Sequence, residues 1–247
     1  MRIVSVVPSL TELLFDLGLE SQLVGITKFC IHPKEKTKKI KKIGGTKNLK
    51  IDTIIDLNPD IIIANKEENQ KEDILELQKH FKVIITEMYN LEDTYSAIKT
   101  IGKNTNTFVS ANKLVQQIQN QFSNLIVPDF LINKKIAYII WNNPIMVAGQ
   151  HTFINHLIEK IKAVNIISSP TSRYPEVEIS ELQKLNPDYI FLSSEPFPFK
   201  EKHLIEFKEN FKHSKIILVD GEMFSWYGSR LKYAPAYFMK LFIELTN

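Results

Sequence analysis

The side chains best suited to chemistry in this sequence are aromatic, cationic and small polar residues in short stretches that follow apolar, β-rich runs. In the first half they are Ser9, Phe29 and Cys30, Gly45, and Lys66. In the second half they are Trp141, Arg173 and Tyr174, Phe197, and the group Trp226, Tyr227 and Arg230 within GEMFSWYGSR. Ligands of open α/β sheets sit outside the carboxyl ends of the strands, so residues just after strands form a candidate binding set. Trp226 and Tyr227 lie in a loop bounded by Gly221 and Gly228. Rings in such a place offer a broad contact face with little loss of rotamer freedom, which suits a wide, partly apolar ligand. Trp141, directly before Asn142-Asn143-Pro144, is expected at the lip of the same site. Arg173 and Arg230 offer guanidinium forks to ligand carboxylates, amides or phosphate.

Other chemistries find little support. Cys30 and His32 are two potential metal ligands where a site needs more, and His151 and His156 are five apart, so they do not share a helix face in the manner of a zinc enzyme. A single cysteine excludes an internal disulfide and any paired-cysteine zinc motif. No GxSxG elbow, P-loop or GxGxxG appears, and glycine is sparse at 8 residues in 247. The residues therefore point to binding without catalysis, with no cofactor and no protein-ligated metal.

The elements that must position these residues alternate apolar runs with amphipathic stretches, the pattern of βαβ units around a mostly parallel sheet. Strands are expected at residues 3–7, 23–26, 61–64, 83–86, 136–141, 189–192 and 216–219. A helix is expected over residues 9–17, with Ser9 as N-cap and Glu12 completing a capping box, and another over 153–161. Leu57-Asn58-Pro59-Asp60 recurs as Leu185-Asn186-Pro187-Asp188, and His80 to Ile85 resembles His213 to Leu218, so an internal duplication is expected. Residues 108–126 contain neither glycine nor proline, follow Thr107 as N-cap and precede Pro128, and are expected to form one long helix. The expected organisation is an α/β lobe over 1–106, a connecting helix over 107–127 and a second α/β lobe over 128–247.

The formal net charge of +3 argues against nucleic acid as a partner. Most of the local excess falls in the lysine-rich stretch 34–50, which reads as a solvated loop or as a surface facing anionic lipid or an acidic partner. No run approaches the roughly 18 apolar residues of a membrane span, and the strand expected at residues 3–7 follows Met1 with no signal-peptide apolar region before it.

Taken in order, RIVSVVPSLTELLFDLGL (2–19), LVGIT (23–27), IGGTKN (43–48), LNPDIIIANKEEN (57–69), WNNPIMVAGQHTFINHLIEKI (141–161) and LNPDYIFLSSEP (185–196) carry a resemblance over essentially the whole chain. It resembles the class III periplasmic binding proteins, the helical-backbone metal receptors of ABC importers, and is most similar to their cobalamin-binding branch. That resemblance implies two Rossmann-like lobes with mostly parallel sheets joined by a single long backbone helix, with cobalamin or a related corrinoid held in the interlobe cleft. A ferric siderophore or haem is the alternative ligand, and a cytosolic tetrapyrrole or metal-chelate handling enzyme on the same scaffold is the rival from another class. It further implies a membrane ABC permease dimer as partner, a monomeric chain, and docking through one acidic residue per lobe. Glu67 and Glu195, equivalent in the two Asn-Pro-Asp repeats, are the candidates, with Glu68 and Glu72 as neighbours. The implied location is the periplasm or cell envelope, or the cytoplasm if Met1 is the native start.

Overall fold

The computed structural model describes residues 1–169 and 171–246. The chain divides into two α/β units: Met1–Asn120 with Tyr227–Lys232, and Gln121–Trp226 with the chain from Tyr233 onward. The division thus falls near the end of one helix, and six residues late in the sequence belong to the first unit.

The first unit contains β1 (Ile3–Ser5), α1 (Pro8–Asp16), β2 (Leu23–Ile26), α2 (Lys34–Thr37), β3 (Lys41–Lys42), β4 (Gly44–Gly45), β5 (Asn48–Leu49), α3 (Ile51–Leu57), β6 (Ile61–Asn65), α4 (Lys71–Gln78), β7 (Lys82–Thr86) and α5 (Leu91–Asn104). Helix α6 (Phe108–Ser123) runs across the division. The main sheet has the order β3-β2-β1-β6-β7, all parallel. All five residues of β6 are buried, as expected for a strand covered on both faces, so its sequence is an unbroken IIIA run without alternation.

The second unit contains β8 (Lys135–Trp141), β9 (Met146–Val147), α7 (Phe153–Lys160), β10 (Val164–Asn165), α8 (Ile179–Leu185), β11 (Tyr189–Ser193), α9 (Glu201–Asn210), β12 (Lys215–Val219), α10 (Gly221–Ser225) and α11 (Ala234–Thr246). Its sheet has the order β10-β8-β11-β12, parallel, with β9 added antiparallel to β8. Its core gathers Ile139, Ile190 and Leu192 from the strands with Leu182 and Phe207 from the helices and Phe211 from the C-cap of α9.

The duplication read from the Asn-Pro-Asp pattern has a structural counterpart. Ile3 pairs with Ile61 in β1 and β6, as Ile136 pairs with Tyr189 in β8 and β11. Helices α3 and α8 each end on an asparagine in the left-handed region, Asn58 at φ 43° and Asn186 at φ 49°. Asparagine tolerates that conformation better than other residues with a Cβ. The aspartates then clamp the start of the neighbouring strand. Asp60 Oδ2 accepts from Arg2 N at 2.6 Å and Asp188 Oδ2 accepts from Lys135 N at 2.8 Å. Each also donates its own N–H to the carbonyl of that residue, at 2.8 and 2.9 Å.

Two local expectations need correction. Helix α1 is capped two residues earlier than expected: Val7, not Ser9, is the N-cap, with no side-chain cap, and Pro8 opens the helix. Proline's fixed φ and missing N–H suit that first position, which leaves Ser9 inside the helix and sends Glu12 elsewhere. Helix α6 stops at Ser123, three residues short of the expected end. Leu125 N–H turns back to Phe122 O at 3.2 Å, and Ile126 is 79% exposed, so a further turn would bury nothing there.

Candidate functional site

In the first unit the loops after the strands are tied together by buried amides. Asn65, the last residue of β6, donates through Nδ2 to Thr86 O at 3.0 Å, while its Oδ1 accepts from the backbone N–H groups of Glu67 and Glu68 at 2.9 and 3.1 Å. Asn69 donates to Val6 O and Thr46 O, both at 3.1 Å. The loops following β1, β4, β6 and β7 are therefore held in fixed register, and the turn carrying Lys66, Glu67 and Glu68 is preorganised.

On this frame Phe29 stands half exposed, at 50%. A Cβ on Gly45 would lie 3.2 Å from its Cε2, so the bare glycine backbone gives the ring its seat. Lys28 Nζ sits 5.0 Å from the ring centroid. Exposed Lys66 pairs with Glu87 at 2.9 Å, and the same carboxylate accepts from the hydroxyl of Tyr89, which is 37% exposed. Glu87 and Tyr89 follow β7 and were missed in the sequence, although the rule that selected the other post-strand residues applies to them equally.

Ser9 and Cys30 are buried. The Cys30 sulfur lies 3.0 Å from Thr11 Oγ1 and 3.1 Å from Thr27 Oγ1. Burial pushes its thiol up, against the pull of these hydroxyls, so the sulfur stays protonated at neutral pH. Tyr227 is buried and Ser9 O approaches Gly228. Arg230 directs Nε and Nη2 to the two oxygens of Glu12 at 2.8 and 2.7 Å, a bidentate pair with both side chains at most 15% exposed. The carboxyl of Glu68 is pushed up by burial and then by the charge of Glu67, while Lys47 and the Tyr227 hydroxyl oppose the shift.

In the second unit Trp141 ends β8 with 38% of its surface exposed. Its ring meets Phe197 edge-on at 5.6 Å and its Nε1 donates to Asn143 O at 3.1 Å. Phe197 in turn packs against Phe199 at 4.7 Å and His203 at 5.3 Å, so the indole is propped by an aromatic stack rooted in the core. Half-buried Tyr174 lies beneath the Arg173 guanidinium at 5.9 Å, and Arg173 Nε donates to His151 O at 2.8 Å. Glu195 Oε1 accepts from Ser225 Oγ at 2.6 Å. A Cβ on Gly221 would fall 2.4 Å from Ser193 Oγ and 2.6 Å from Glu195 Cγ, so this glycine is required for that turn. Trp226 is the buried C-cap residue of α10. A cavity of about 470 Å³ in this unit is lined by Asn142, Asn143, Glu178 and Phe207 among others, but by none of the exposed rings.

Glu67 and Glu195 occupy matching places, each two residues beyond the end of its strand and each half-buried. Even the device that holds them recurs, since Asn65 Oδ1 and Ser193 Oγ each accept the N–H of the glutamate. Among the described residues no three His, Cys, Asp or Glu side chains gather to hold a metal, and no helix is long and apolar enough to cross a membrane. The strand-end groups can stack, hydrogen-bond and pair with charge.

These features define a bilobal α/β solute-binding architecture, and residues 3–216 match the family model of the periplasmic binding proteins. The chain belongs to that family, whose members are solute-binding components of ABC transporters and act as transport proteins. It is 26% identical over 245 residues to the uncharacterized ABC transporter substrate-binding lipoprotein YvrC of Bacillus subtilis, covering 93% of this chain and 76% of the relative. It is 23% identical over 202 residues to the vitamin B12-binding protein of Vibrio vulnificus, covering 78% and 71%. In fold it is similar to the periplasmic heme-binding protein RhuT of Roseiflexus, with a TM-score of 0.84 at 18% identity over 100% of this chain and 99% of the other.

Proposed function

We infer that this protein carries cobalamin or a related corrinoid to a membrane ABC permease dimer, as a monomer working in the periplasm or cell envelope. The observation that carries the reading is the pair of half-exposed rings at strand ends, Phe29 seated on Gly45 and Trp141 propped by Phe197. Large rings left in contact with water on rigid supports reward a ligand with a broad, partly apolar face. Its similarity to a vitamin B12-binding protein supports the same ligand.

In this reading Phe29, Lys66, Trp141, Arg173, Tyr174 and Phe197 touch the ligand. Ser9, Cys30, Gly45, Trp226, Tyr227 and Arg230 shape the loops that present them. Glu67 and Glu195 meet the permease, their matching positions supplying one carboxylate from each unit. No bond is made or broken in the ligand, and no protein group ligates a metal within a corrinoid.

A second reading, haem or a ferric chelate, is favoured by Tyr89. Its exposed phenol donates to Glu87, a contact that makes the oxygen a better donor to ferric iron, and phenolate oxygen is an established ligand of haem iron. Ligand titrations of Trp141→Ala and Tyr89→Phe separate the two. Under the corrinoid reading Trp141→Ala weakens cobalamin binding at least about tenfold with an unchanged melting temperature, and Tyr89→Phe leaves it intact. Saturable haemin binding whose absorption spectrum changes on Tyr89→Phe, together with no cobalamin binding, replaces the first reading by the second.

A further inference from the structure

Gly45, Thr46 and Lys47 support the site described above, but the other lysines of the segment from Lys34 to Lys50 have no part in it. The segment carries eight lysines and one glutamate, a net charge of seven, while the whole chain carries only +3. The remainder of the molecule is therefore net negative, so the net positive excess comes from this one segment of the first unit, although most of the chain's 31 lysines and arginines lie elsewhere. The segment forms α2, the edge strand β3 and the small β4-β5 hairpin.

Internal needs account for part of this charge. Lys36 pairs with Glu20 and Lys38 pairs with Glu35 at 2.8 Å. Lys42 donates to Cys30 O at 3.3 Å and Lys47 to Glu67 O at 2.5 Å. Charged residues also protect an edge strand from pairing with another chain, which gives Lys41 a structural use. Lys34, Lys39 and Lys50 have no such use, and among the described residues none of Lys34, Lys39, Lys41 and Lys50 meets a carboxylate, although all are exposed. Four uncompensated ammonium groups within 17 residues raise the local potential, a cost that the fold itself does not recover.

We propose that this edge, presented by Lys34, Lys39, Lys41 and Lys50, is a docking surface for an anionic membrane, through the phosphate groups of its lipids. The composition selects this partner. Segment 34–50 holds no arginine and no aromatic residue, the types that anchor specific protein interfaces, in which lysine is depleted. Lysine on a flexible stem is a mobile point charge, matched to a fluid array of headgroups that demands charge without fixed geometry. A protein that must deliver cargo to a membrane permease gains encounter rate from such a patch, in addition to any contact made by its acidic residues.

The test is cosedimentation of the full chain with vesicles of equimolar phosphatidylcholine and phosphatidylglycerol, against vesicles of phosphatidylcholine alone. Binding is expected to the anionic vesicles only and to fall steeply between low and physiological salt. The variant K34Q/K39Q/K41Q/K50Q is expected to lose at least about a hundredfold in partitioning, because each lysine near an anionic surface contributes several-fold. A control, K202Q/K208Q/K212Q/K240Q, removes equal charge from the second unit and is expected to bind as the parent does. Equal losses in both variants, binding to neutral vesicles, or no binding to either kind would overturn the proposal. Retention on immobilised polyglutamate without vesicle binding would assign the edge to an acidic polypeptide instead. Melting temperatures of both variants, expected to match the parent, exclude loss through unfolding.

Discussion

Glu12 and Arg230 lie 218 positions apart in sequence and form a bidentate pair that water scarcely reaches. Removing one partner strands the other charge, so Arg230→Ala should lower stability by about 2 to 3 kcal/mol in urea denaturation, somewhat below the range for fully buried pairs. Removal of Glu12 in the same background should then cost little. Glu68 supplies a second test at this scale. Its carboxyl is raised above the ordinary value of 4.5 by burial and by Glu67, so the folded state binds protons more tightly than the unfolded chain. Wild-type stability should therefore be fully expressed below that ordinary value and decline as pH rises through the raised one. Glu68→Gln should be more stable than the parent at pH 8, with the advantage vanishing towards pH 4; an advantage independent of pH would contradict the assignment. The sequence made Trp141 legible because a strand-ending tryptophan before Asn-Asn-Pro has few places to go. It could not distinguish exposed Trp141 from buried Trp226, since glycine-bounded loops read alike whether their rings face outward or fold under. Nor could it show that the fork of Arg230 engages Glu12, because that partner comes from the opposite end of the chain.

Among the elements, the repeated Asn-Pro-Asp turn was the most informative feature of the sequence. Its asparagine stops a helix in the left-handed region and its aspartate clamps the adjacent strand, so one short pattern fixes the geometry of both units. Asp188 shows how the clamp stores charge energy. Burial alone would raise its carboxyl, but the Lys135 N–H and the Lys134 ammonium outweigh it and hold the group below its ordinary 3.8. The stability this gives is present above that ordinary value and is lost as pH falls through the depressed one. Asp188→Asn should accordingly be less stable than the parent at neutral pH, and the gap should narrow below about pH 4 in pH-dependent urea melts. Long apolar strands and α7 were legible because burial imposes a period or a continuous run. The two-residue strands β3, β4, β5, β9 and β10 were not, because so short a segment has no period and its pairing is set by its neighbours. The start of α1 was misplaced because Ser9 and Glu12 satisfy a capping pattern that Pro8, already suited to the first helical position, pre-empts.

For the molecule as a whole, the repeated sheets give two rigid platforms whose strand-end loops carry the groups suited to a ligand. The matching glutamates are held by Asn65 in one unit and by Ser193 and Ser225 in the other, and in the proposed reading they are the carboxylates that meet a two-subunit permease. Charge reversal at both Glu67 and Glu195 should impair transport in reconstituted vesicles while leaving ligand affinity nearly unchanged, because rim charges act on encounter and orientation. Loss of ligand binding in that double variant would move the glutamates into the binding site. The order of motifs made the family and the two-lobed α/β fold class legible in the sequence, whereas the return of Tyr227–Lys232 to the first unit was not, and the ligand depends on the shape and polarity left between side chains, which no motif encodes. Calorimetric titration of the purified full chain with cobalamin therefore decides the ligand. Saturable binding of one cobalamin per chain is expected, accompanied by quenching of tryptophan fluorescence. No heat and no quenching with cobalamin, alongside saturable binding of haemin or a ferric siderophore, would contradict the corrinoid reading.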